Sequence, residues 1–263
     1  MCSIEKVGLF IPARLNSSRL NQKMLYPIHQ KPLLEHVFDT CLKSSLISRD
    51  NIVIATGDDK IASVANQFGA HVIRTPDHFQ SGTDRVFYAS QQTSYDIILN
   101  CQGDLAVFDP AVIDDLAHLM TNNPSIQMAT LAIHSHDQLE LHNPNTVKVV
   151  LNKDSEALYF SRHPLAINEK KEFLKHIGIY AYRKDTLVTL CNLPPSPLER
   201  LESLEQLRAL QNNIPIKVLR SHSIALSVDT IEDVFKVESC FNQRILSNVS
   251  IKRSNKEQAS IEE

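Results

Sequence analysis

The chain has 263 residues, of which 43% are hydrophobic and 22% charged, and its formal net charge is −3. This length can build one large domain or two smaller ones around a substantial core. Nucleic-acid and membrane-surface proteins usually carry a basic excess, which this chain lacks, and no apolar run approaches the roughly 20 residues that span a bilayer. We therefore expect a globular protein with no nucleic acid and no membrane among its partners.

The cysteines and the first residues indicate the compartment. The five cysteines are scattered and form no C-x-x-C pair, so they indicate neither a zinc site nor a disulfide framework. The first residues show no signal-peptide pattern. We expect a reduced, cytoplasmic protein.

Strands and helices alternate through the first part of the chain. Short apolar runs predict strands over residues 7–12, 52–55, 72–73 and 97–101. Helical periodicity predicts a helix starting at Pro32, one over 61–68 that stops at Gly69, and others over 83–92 and 110–120. This alternation is typical of right-handed βαβ units and a mainly parallel sheet.

The pattern changes in the second half. Strands are predicted over 128–133, 147–151, 157–161 and 177–182 with only loops between them, and we expect antiparallel pairing there. A helix over 198–210, strands over 216–219 and 225–228, and a last helix over 230–246 follow. We predict one α/β domain over residues 1–247, with a mainly parallel central sheet and an antiparallel second-half subdomain. Residues 248–263 are polar, which predicts a disordered tail.

Two predicted strands end in a carboxylate. Asp104 follows the strand over 97–101 through Gln102 and Gly103, and Asp229 follows the strand over 225–228. Open α/β sheets bind ligands at the carboxyl ends of their strands, and two carboxylates there can share a Mg²⁺ ion. Asp229 could instead cap the last helix, or serve both purposes.

Two polar segments could surround an anionic ligand. The loop between Arg14 and Lys23 leaves the first strand and is rich in polar and cationic residues, which suits a phosphate site but equally a solvated basic loop. The segment from Ser81 through Gly82 to Arg85 begins a helix, and a cation in that first turn opposes the helix dipole. An anionic ligand or a buried carboxylate would explain Arg85, and so would an ordinary exposed arginine.

A third set of polar residues lies in the second half. Its members are Arg162, His176, Tyr180, Glu205 and Gln206. His176 and Tyr180 are four residues apart on one strand and so share a face. Together the five residues could bind a carboxylated polyol, although each of them alone is more often structural.

In combination, these segments resemble the 3-deoxy-manno-octulosonate (Kdo) cytidylyltransferases, the CMP-Kdo synthetases of bacterial lipopolysaccharide synthesis. The similar stretches run in family order over about residues 6–245. They are Ile11-Pro12-Ala13-Arg14, Ser18-Arg19-Leu20, Ser81-Gly82-Thr83-Asp84-Arg85, Gln102-Gly103-Asp104, Asn143-Pro144-Asn145, Val147-Lys148-Val149-Val150, Ala157-Leu158-Tyr159-Phe160-Ser161-Arg162, His176-Ile177-Gly178-Ile179-Tyr180, Pro195-Ser196-Pro197-Leu198-Glu199, Leu204-Glu205-Gln206-Leu207-Arg208 and Val228-Asp229-Thr230.

The resemblance implies a Rossmann-like nucleotidyltransferase fold, an enzyme that joins CTP to a 2-keto-3-deoxy sugar acid, a Mg²⁺ cofactor and a homodimer. It also implies a role for each candidate residue. Asp104, Asp229 and Lys23 would be catalytic, with Asp104 and Asp229 as metal ligands. The nucleotide would be bound by Arg14, Lys23, Ser81, Gly82, Arg85 and Asp104, and the sugar by Gln102, Arg162, His176, Tyr180, Glu205 and Gln206.

The sequence departs from the family pattern in three places. The usual R-[LF]-P-G-K-P-L is here Arg19-Leu20-Asn21-Gln22-Lys23-Met24-Leu25, the usual Q-G-D-E-P is Gln102-Gly103-Asp104-Leu105-Ala106, and the usual A-x-I-P after Arg162 is His163-Pro164-Leu165-Ala166. These departures leave two alternatives open. One is CMP transfer to a modified, 8-amino Kdo or another 2-keto sugar acid, and the other is a weakly active nucleotide-binding paralogue.

Overall fold

A computed structural model describes residues 6–17, 19–79, 81–165 and 172–243. The predicted tail over 248–263 lies outside these residues. The strands are β1 (Val7–Pro12), β2 (Pro27–Ile28), β3 (Lys31–Pro32), β4 (Ile52–Thr56), β5 (His71–Arg74), β6 (Ile97–Cys101), β7 (Leu105–Val107), β8 (Met128–Ser135), β9 (Lys148–Leu151), β10 (Ala157–Ser161), β11 (Phe173–Arg183), β12 (Ile216–Ser221) and β13 (Leu226–Ser227). The helices are α1 (Leu33–Cys41), α2 (Asp59–Gln67), α3 (Gly82–Ser90), α4 (Ala111–Asn122), α5 (Gln138–His142), α6 (Lys184–Asn192), α7 (Pro197–Glu202), α8 (Gln206–Gln211) and α9 (231–243).

The first-half strands form the parallel part of the central sheet. β1 lies between β4 and β6 and pairs in parallel with both, and β5 continues the sheet beyond β4. The chain fills one side of β1 first and then crosses to β6 on the other side. This reversal opens a crevice at the carboxyl ends of β1 and β6, where doubly wound sheets bind ligands.

The long strand β11 joins the two halves of the sheet. It pairs antiparallel with β6 and β9 along one edge and with β8 along the other. β10 pairs antiparallel with β9, which confirms the expected antiparallel character. β12 departs from it because it runs parallel to β8.

Helices cover both faces of the sheet. One apolar cluster packs buried residues of α1, α2, α4 and α9 on one face, and a second packs those of α3, α6 and α8 on the other. Continuous burial of β1, β4 and β6 follows from this two-sided cover and explains their unbroken apolar sequences. The predicted α/β fold with a mainly parallel central sheet is confirmed.

Three details of the predicted elements are wrong. The single helix expected over 198–210 is two helices, α7 and α8, because Ser203 adopts a left-handed backbone (φ 54°) that ends α7. The stretch between the strands β8 and β9 is not only loop, since it contains α5. Helix α6 was not predicted, because its buried residues Leu187 and Leu190 are too few to mark a clear stripe.

A two-stranded sheet stands apart from the central one and shapes the site. β7 pairs antiparallel with β13, and the Val228 N–H donates to the Asp104 carbonyl oxygen at 2.9 Å. Leu105 and Ala106 of β7 are buried in the core, so the apolar departure from Q-G-D-E-P supports this pairing. The two strands bring Asp104 and Asp229, distant in sequence, side by side.

Candidate active site

Lys23 lies between the two carboxylates that end the strands. Its Nζ donates to Asp104 Oδ2 at 2.6 Å and to Asp229 Oδ1 at 2.8 Å. Burial alone would lower the pKa of Lys23, but the two carboxylates outweigh burial and raise it above the usual value for lysine. Lys23 therefore stays charged and bridges Asp104 and Asp229.

Asp229 faces this site rather than the start of α9. Asp233 Oδ2 accepts hydrogen bonds from the backbone N–H groups of Asp229 and Thr230, so Asp233 satisfies the helix terminus. Asp229 Oδ1 also forms a salt bridge with Nη2 of Arg19 at 3.2 Å. In this structure Asp229 therefore pairs with the cationic side chains of Lys23 and Arg19, and Asp233 caps the start of α9.

Arg19 is a site residue that sequence reasoning missed. Its other guanidinium nitrogen donates to Asn145 Oδ1 at 2.9 Å, so Arg19 links the Asp229 carboxylate to the loop over 143–146. The sequence places Arg19 in the polar loop from Arg14 to Lys23 and in the family-like stretch Ser18-Arg19-Leu20, but it indicates no role for this residue. Nothing local predicted a partner 126 residues away.

The same loop contains a backbone feature that the departure from the family pattern makes informative. Gln22 stands where the family pattern has glycine, and its φ of 50° and ψ of 39° are left-handed. Lys60 Nζ donates to Gln22 Oε1 at 2.6 Å and holds the side chain in place. The loop thus keeps the conformation that glycine would adopt freely, at a cost of roughly 1–2 kcal/mol for a residue with a Cβ.

The start of α3 packs against the end of β6. Ser81 Oγ accepts a hydrogen bond from the Asp84 N–H at 3.0 Å and caps the helix. A Cβ atom at Gly82 would lie 3.1 Å from Gln102 Oε1 and 3.2 Å from Pro12 Cγ, tighter than an ordinary contact. The missing side chain at Gly82 therefore permits a close approach of α3 to the sheet edge.

Arg85 is buried, which makes the exposed alternative wrong. Its Nη1 donates to Thr75 Oγ1 at 2.5 Å and to the Pro76 carbonyl oxygen at 3.4 Å, and Nη2 donates to the Phe79 carbonyl oxygen at 3.5 Å. Burial lowers the pKa of the guanidinium. Arg85 fastens the segment before α3 to the helix and faces the site from there.

Two cavities adjoin at this edge of the sheet. The smaller has a volume of about 170 Å³, and its wall includes Arg14, Arg19, Lys23, Ser81, Arg85 and Asp104. The larger has a volume of about 500 Å³, and its wall includes Arg162, His176, Tyr180, Glu205 and Gln206. Gly82, Gln102 and Asp229 line both. Every candidate residue from the sequence therefore faces one cavity or both.

His176 forms part of a buried polar group in the larger cavity. Its Nε2 lies 3.0 Å from Thr130 Oγ1, and that hydroxyl also lies 2.8 Å from the Ile179 carbonyl oxygen and 3.3 Å from the Ile177 carbonyl oxygen. In the tautomer in which Thr130 gives its proton to one of these carbonyls, His176 donates from Nε2 and Nδ1 is an acceptor. Burial lowers the pKa of His176 to about 3, so the ring is neutral. The ring centroids of His176 and Tyr180 are 5.3 Å apart, as the shared strand face predicts.

Arg162 is more committed to the protein than the sequence indicated. Nε, Nη1 and Nη2 donate to the carbonyl oxygens of Glu202, Pro144 and Ser203 at 2.9, 2.9 and 3.2 Å. A guanidinium has five N–H groups, so two remain for a ligand. Three N–H groups of Arg162 therefore hold the cavity wall together, and the other two can face a ligand in the cavity.

The buried Lys148 orders the same wall. Its Nζ donates to the carbonyl oxygens of Asn143, Thr146 and Arg162 at 2.8–2.9 Å. Burial lowers the pKa of this ammonium group. The loop over 143–146 and the end of β10 are thereby tied together around the larger cavity.

The donor chemistry of Asp104 and Asp229 fits a divalent cation. Mg²⁺ favours one or two carboxylates together with phosphate oxygens and water, and the two aspartates already converge on one cation, the Lys23 ammonium. Within the described ranges, no three His, Cys, Asp or Glu side chains are grouped so that they could hold a metal. Further ligands for an ion here would have to come from a bound phosphate or from water.

No helix in the described part of the chain has the length and apolarity to cross a membrane.

The sequence comparisons with known proteins indicate the cytidylyltransferase family. A family model described as cytidylyltransferase matches residues 9–220. A 3-deoxy-manno-octulosonate cytidylyltransferase from Chloroherpeton thalassium is 38% identical over 246 residues, 91% of this chain and 99% of that protein. A protein of the same name from Francisella tularensis is 40% identical over 249 residues, 90% of this chain and 98% of that protein.

A solved structure agrees with these matches. The structure of a CMP:2-keto-3-deoxy-manno-octonic acid synthetase complexed with CTP has a TM-score of 0.84 and 36% sequence identity, covering 90% of this chain and 99% of that one. Similarity of this extent shows the family and the enzyme class. The chain belongs to the cytidylyltransferase family of nucleotidyltransferases, among the 3-deoxy-manno-octulosonate cytidylyltransferases.

Proposed function

We propose that this chain joins CTP and Kdo to give CMP-Kdo and pyrophosphate for lipopolysaccharide biosynthesis. The observation that carries the proposal is the pair of adjoining cavities, which meet at Gln102, Gly82 and Asp229. The smaller is lined by several cations, and the larger by charged and neutral polar side chains together, among them Arg162, His176, Glu205 and Gln206. Such a pair can hold a triphosphate and a polyhydroxy acid with their reacting atoms together. Family membership supplies the identity of the two substrates.

The cationic cavity suits the triphosphate. Arg14 and Lys23, with Arg19, carry positive charge into it, and the cap at Ser81 and the bare backbone of Gly82 allow the nucleotide to approach α3. Phosphoryl transfer needs mainly positioning and neutralisation of charge. The 2-hydroxyl oxygen of the sugar acid attacks the α-phosphorus, the bond from that phosphorus to the bridging oxygen breaks, and pyrophosphate leaves.

We further propose Mg²⁺ as the cofactor, held by Asp104 and Asp229. When bound, it neutralises phosphate oxygens and lowers the pKa of a coordinated hydroxyl. Lys23 would then turn from the two carboxylates towards a phosphate, a role that its long flexible side chain allows.

The larger cavity suits the sugar. Neutral His176 offers its second ring nitrogen, Nδ1, as a hydrogen-bond partner, Arg162 has two N–H groups left, and Gln206 is 6% exposed with both donor and acceptor atoms. Matched donors and acceptors recognise hydroxyl groups strongly, because an analogue without the hydroxyl leaves a polar group unpaired.

We also propose a cytoplasmic homodimer. Large apolar side chains are exposed on the second half of the chain: Leu139 is 83% exposed, Leu158 58% and Leu201 77%. A second copy that covers this half would bury them. Light scattering coupled to gel filtration tests it: we expect about twice the mass of 29.7 kDa, and a single-chain mass would contradict the dimer.

A substrate panel tests the proposed activity. Pyrophosphate release is measured with CTP, UTP, ATP and GTP, each combined with Kdo, 8-amino Kdo or a sialic acid. We expect turnover with CTP and Kdo that needs Mg²⁺ and stops when the metal is chelated. Faster turnover with 8-amino Kdo than with Kdo would identify a modified Kdo as the substrate. If no combination of nucleotide and sugar acid releases pyrophosphate, the proposed enzymatic activity is contradicted.

A further inference from the structure

Asn100 is a polar side chain in apolar surroundings. It lies in the central strand β6, is fully buried, and is paired with Phe10 of β1 on one side and with Tyr180 of β11 on the other. These neighbours and Ile98, on the same face of β6, belong to the apolar cluster that α3, α6 and α8 cover. Central strands favour β-branched and aromatic residues and disfavour asparagine. An amide at this position therefore calls for a reason other than the fold.

The hydrogen-bonding capacity of the Asn100 amide is only partly used. Its Oδ1 accepts a hydrogen bond from Gln102 Nε2 at 3.3 Å. Its Nδ2 is buried and has no hydrogen-bond partner among the residues that the structure describes. A buried N–H group without a partner lowers the stability of a fold, because its hydration is lost and not replaced. Asn100 thus destabilises β6, and the contact that its side chain makes leads to Gln102.

Gln102 stands where the two cavities meet, since it lines both of them. Two glycines flank its side chain. A Cβ atom at Gly82 would lie 3.1 Å from Gln102 Oε1, and one at Gly178 would lie 3.4 Å from Gln102 Cγ. Because neither neighbour has a side chain, packing alone does not fix the rotation of the Gln102 amide. Within the described part of the chain, the bond to Asn100 is the one hydrogen bond of this amide.

The bond to Asn100 determines which atom of Gln102 faces the substrates. Since Nε2 turns towards Asn100, Oε1 lies on the side of Gly82, which borders both cavities. A carboxamide oxygen is an uncharged hydrogen-bond acceptor. An acceptor at this place can hold the 2-hydroxyl of the sugar acid by its proton and direct the hydroxyl oxygen at the α-phosphorus. An amide rotated by half a turn would present a donor to the hydroxyl instead.

We propose that Asn100 is a positioning residue, which lines neither cavity but holds the Gln102 amide with its oxygen towards the attacking hydroxyl. The central strand keeps a destabilising asparagine because the reaction needs this orientation of Gln102. The inference rests on the proposed function of the two cavities.

Two variants of Asn100 separate its effect on the reaction from its effect on the fold. Asn100→Leu has the same branched skeleton but no donor or acceptor. We expect its urea midpoint to equal or exceed that of the parent, and its kcat for pyrophosphate release from CTP and Kdo to fall about ten- to hundredfold. Asn100→Asp keeps an acceptor oxygen for Gln102. We expect its kcat to stay within about threefold of the parent, although burial of a carboxyl group lowers the urea midpoint.

Thr121→Val is the matched control. Thr121 is also buried, and its Oγ1 donates to the Ala117 carbonyl oxygen at 2.8 Å within α4, in the wall of neither cavity. Its kcat should stay within about twofold of the parent, which shows that loss of a buried polar group does not by itself slow the reaction. Calorimetric titration should give a CTP affinity within about twofold of the parent for all three variants, because none of them changes a cavity wall.

Stability and activity should therefore rank Asn100→Leu and Asn100→Asp in opposite orders, whereas a merely structural role would rank them in the same order. A kcat of Asn100→Leu within about twofold of the parent would overturn the proposal. So would a loss of kcat in Asn100→Asp as large as in Asn100→Leu, or a CTP affinity that falls together with kcat. If Asn100→Leu does not fold, Asn100→Ala, which also lacks the amide, takes its place. Failure of the proposed function is distinct, since the parent itself would then release no pyrophosphate from CTP and Kdo.

Discussion

Replacing Lys23 by methionine tests the arrangement at the centre of the site. Lys23→Met keeps the length and apolar stem of the side chain but removes the ammonium group that Asp104 and Asp229 share at 2.6 and 2.8 Å. Loss of one partner from a fully buried pair costs roughly 3–5 kcal/mol. The carboxylates here are 27% exposed and recover part of their hydration, so we expect the free energy of unfolding to fall by about 2 kcal/mol.

The measurement is urea unfolding at neutral pH without nucleotide, with and without Mg²⁺. Lys31→Met is the matched control, because Lys31 also bridges two carboxylates, at 2.6 Å from Asp39 and 3.3 Å from Glu35, but is 38% exposed. An exposed pair of this kind contributes about 0–1 kcal/mol. Mg²⁺ should restore stability to Lys23→Met, since the ion can replace the ammonium, and should leave Lys31→Met unchanged.

Two results would refute this reasoning. Equal losses in Lys23→Met and Lys31→Met would mean that burial of Lys23 contributes nothing. Absence of any Mg²⁺ effect on Lys23→Met would mean that Asp104 and Asp229 do not form a cation site by themselves.

Three further predictions concern other parts of the site. Because burial lowers the His176 pKa to about 3, the unfolded chain binds a proton below about pH 6.5 that the folded chain does not bind. Between pH 7.5 and 5 the free energy of unfolding of the parent should therefore fall by about 2 kcal/mol more than that of His176→Asn, measured by urea unfolding at both pH values. Gln22→Gly should raise the free energy of unfolding by about 0.5–1 kcal/mol, because glycine adopts the left-handed backbone of this position without strain. Asn21→Gly should lower it, because φ is not positive at residue 21. If denaturant unfolding shows Asn21→Gly to be the more stable variant, the strain at Gln22 is contradicted. Gly103→Ala should destabilise the protein by about 1–3 kcal/mol and lower kcat, because the added Cβ would lie 2.8 Å from the Pro12 carbonyl oxygen. The control Gly178→Ala should be tolerated, because its Cβ would lie 3.4 Å from Gln102 Cγ. Equal effects of the two variants in thermal unfolding and kinetics would contradict the close approach at Gly103.

The sequence predicted best what depends on periodicity and strand ends. A continuous apolar run predicts a strand that ends shortly before Asp104, and β6 has the predicted bounds, Ile97–Cys101. The shared face of His176 and Tyr180 survives an irregularity in the pairing of β11 with β8 between Ile177 and Tyr180, since the two rings remain in contact. Local pattern was enough for these features.

What the sequence could not predict depends on contacts between distant residues. The sequence predicts a strand over 225–228 but not its partner. β7 has only three residues, too few for a periodic signal, yet its pairing with β13 places Asp229 beside Asp104. The burial of Arg85 and the bonding of Arg162 to three carbonyl oxygens follow from loops whose course no local pattern specifies. A serine does not by itself predict a left-handed backbone, so the sequence does not predict that α7 ends at Ser203.

The most direct test of the account is ³¹P nuclear magnetic resonance of the parent enzyme with CTP, Kdo and Mg²⁺. If the two cavities bring the 2-hydroxyl of the sugar acid to the α-phosphorus, one phosphodiester signal appears for each pyrophosphate released, and neither appears when Kdo is left out. Pyrophosphate or orthophosphate released without an equal amount of phosphodiester would show hydrolysis of CTP instead of transfer and would contradict the account.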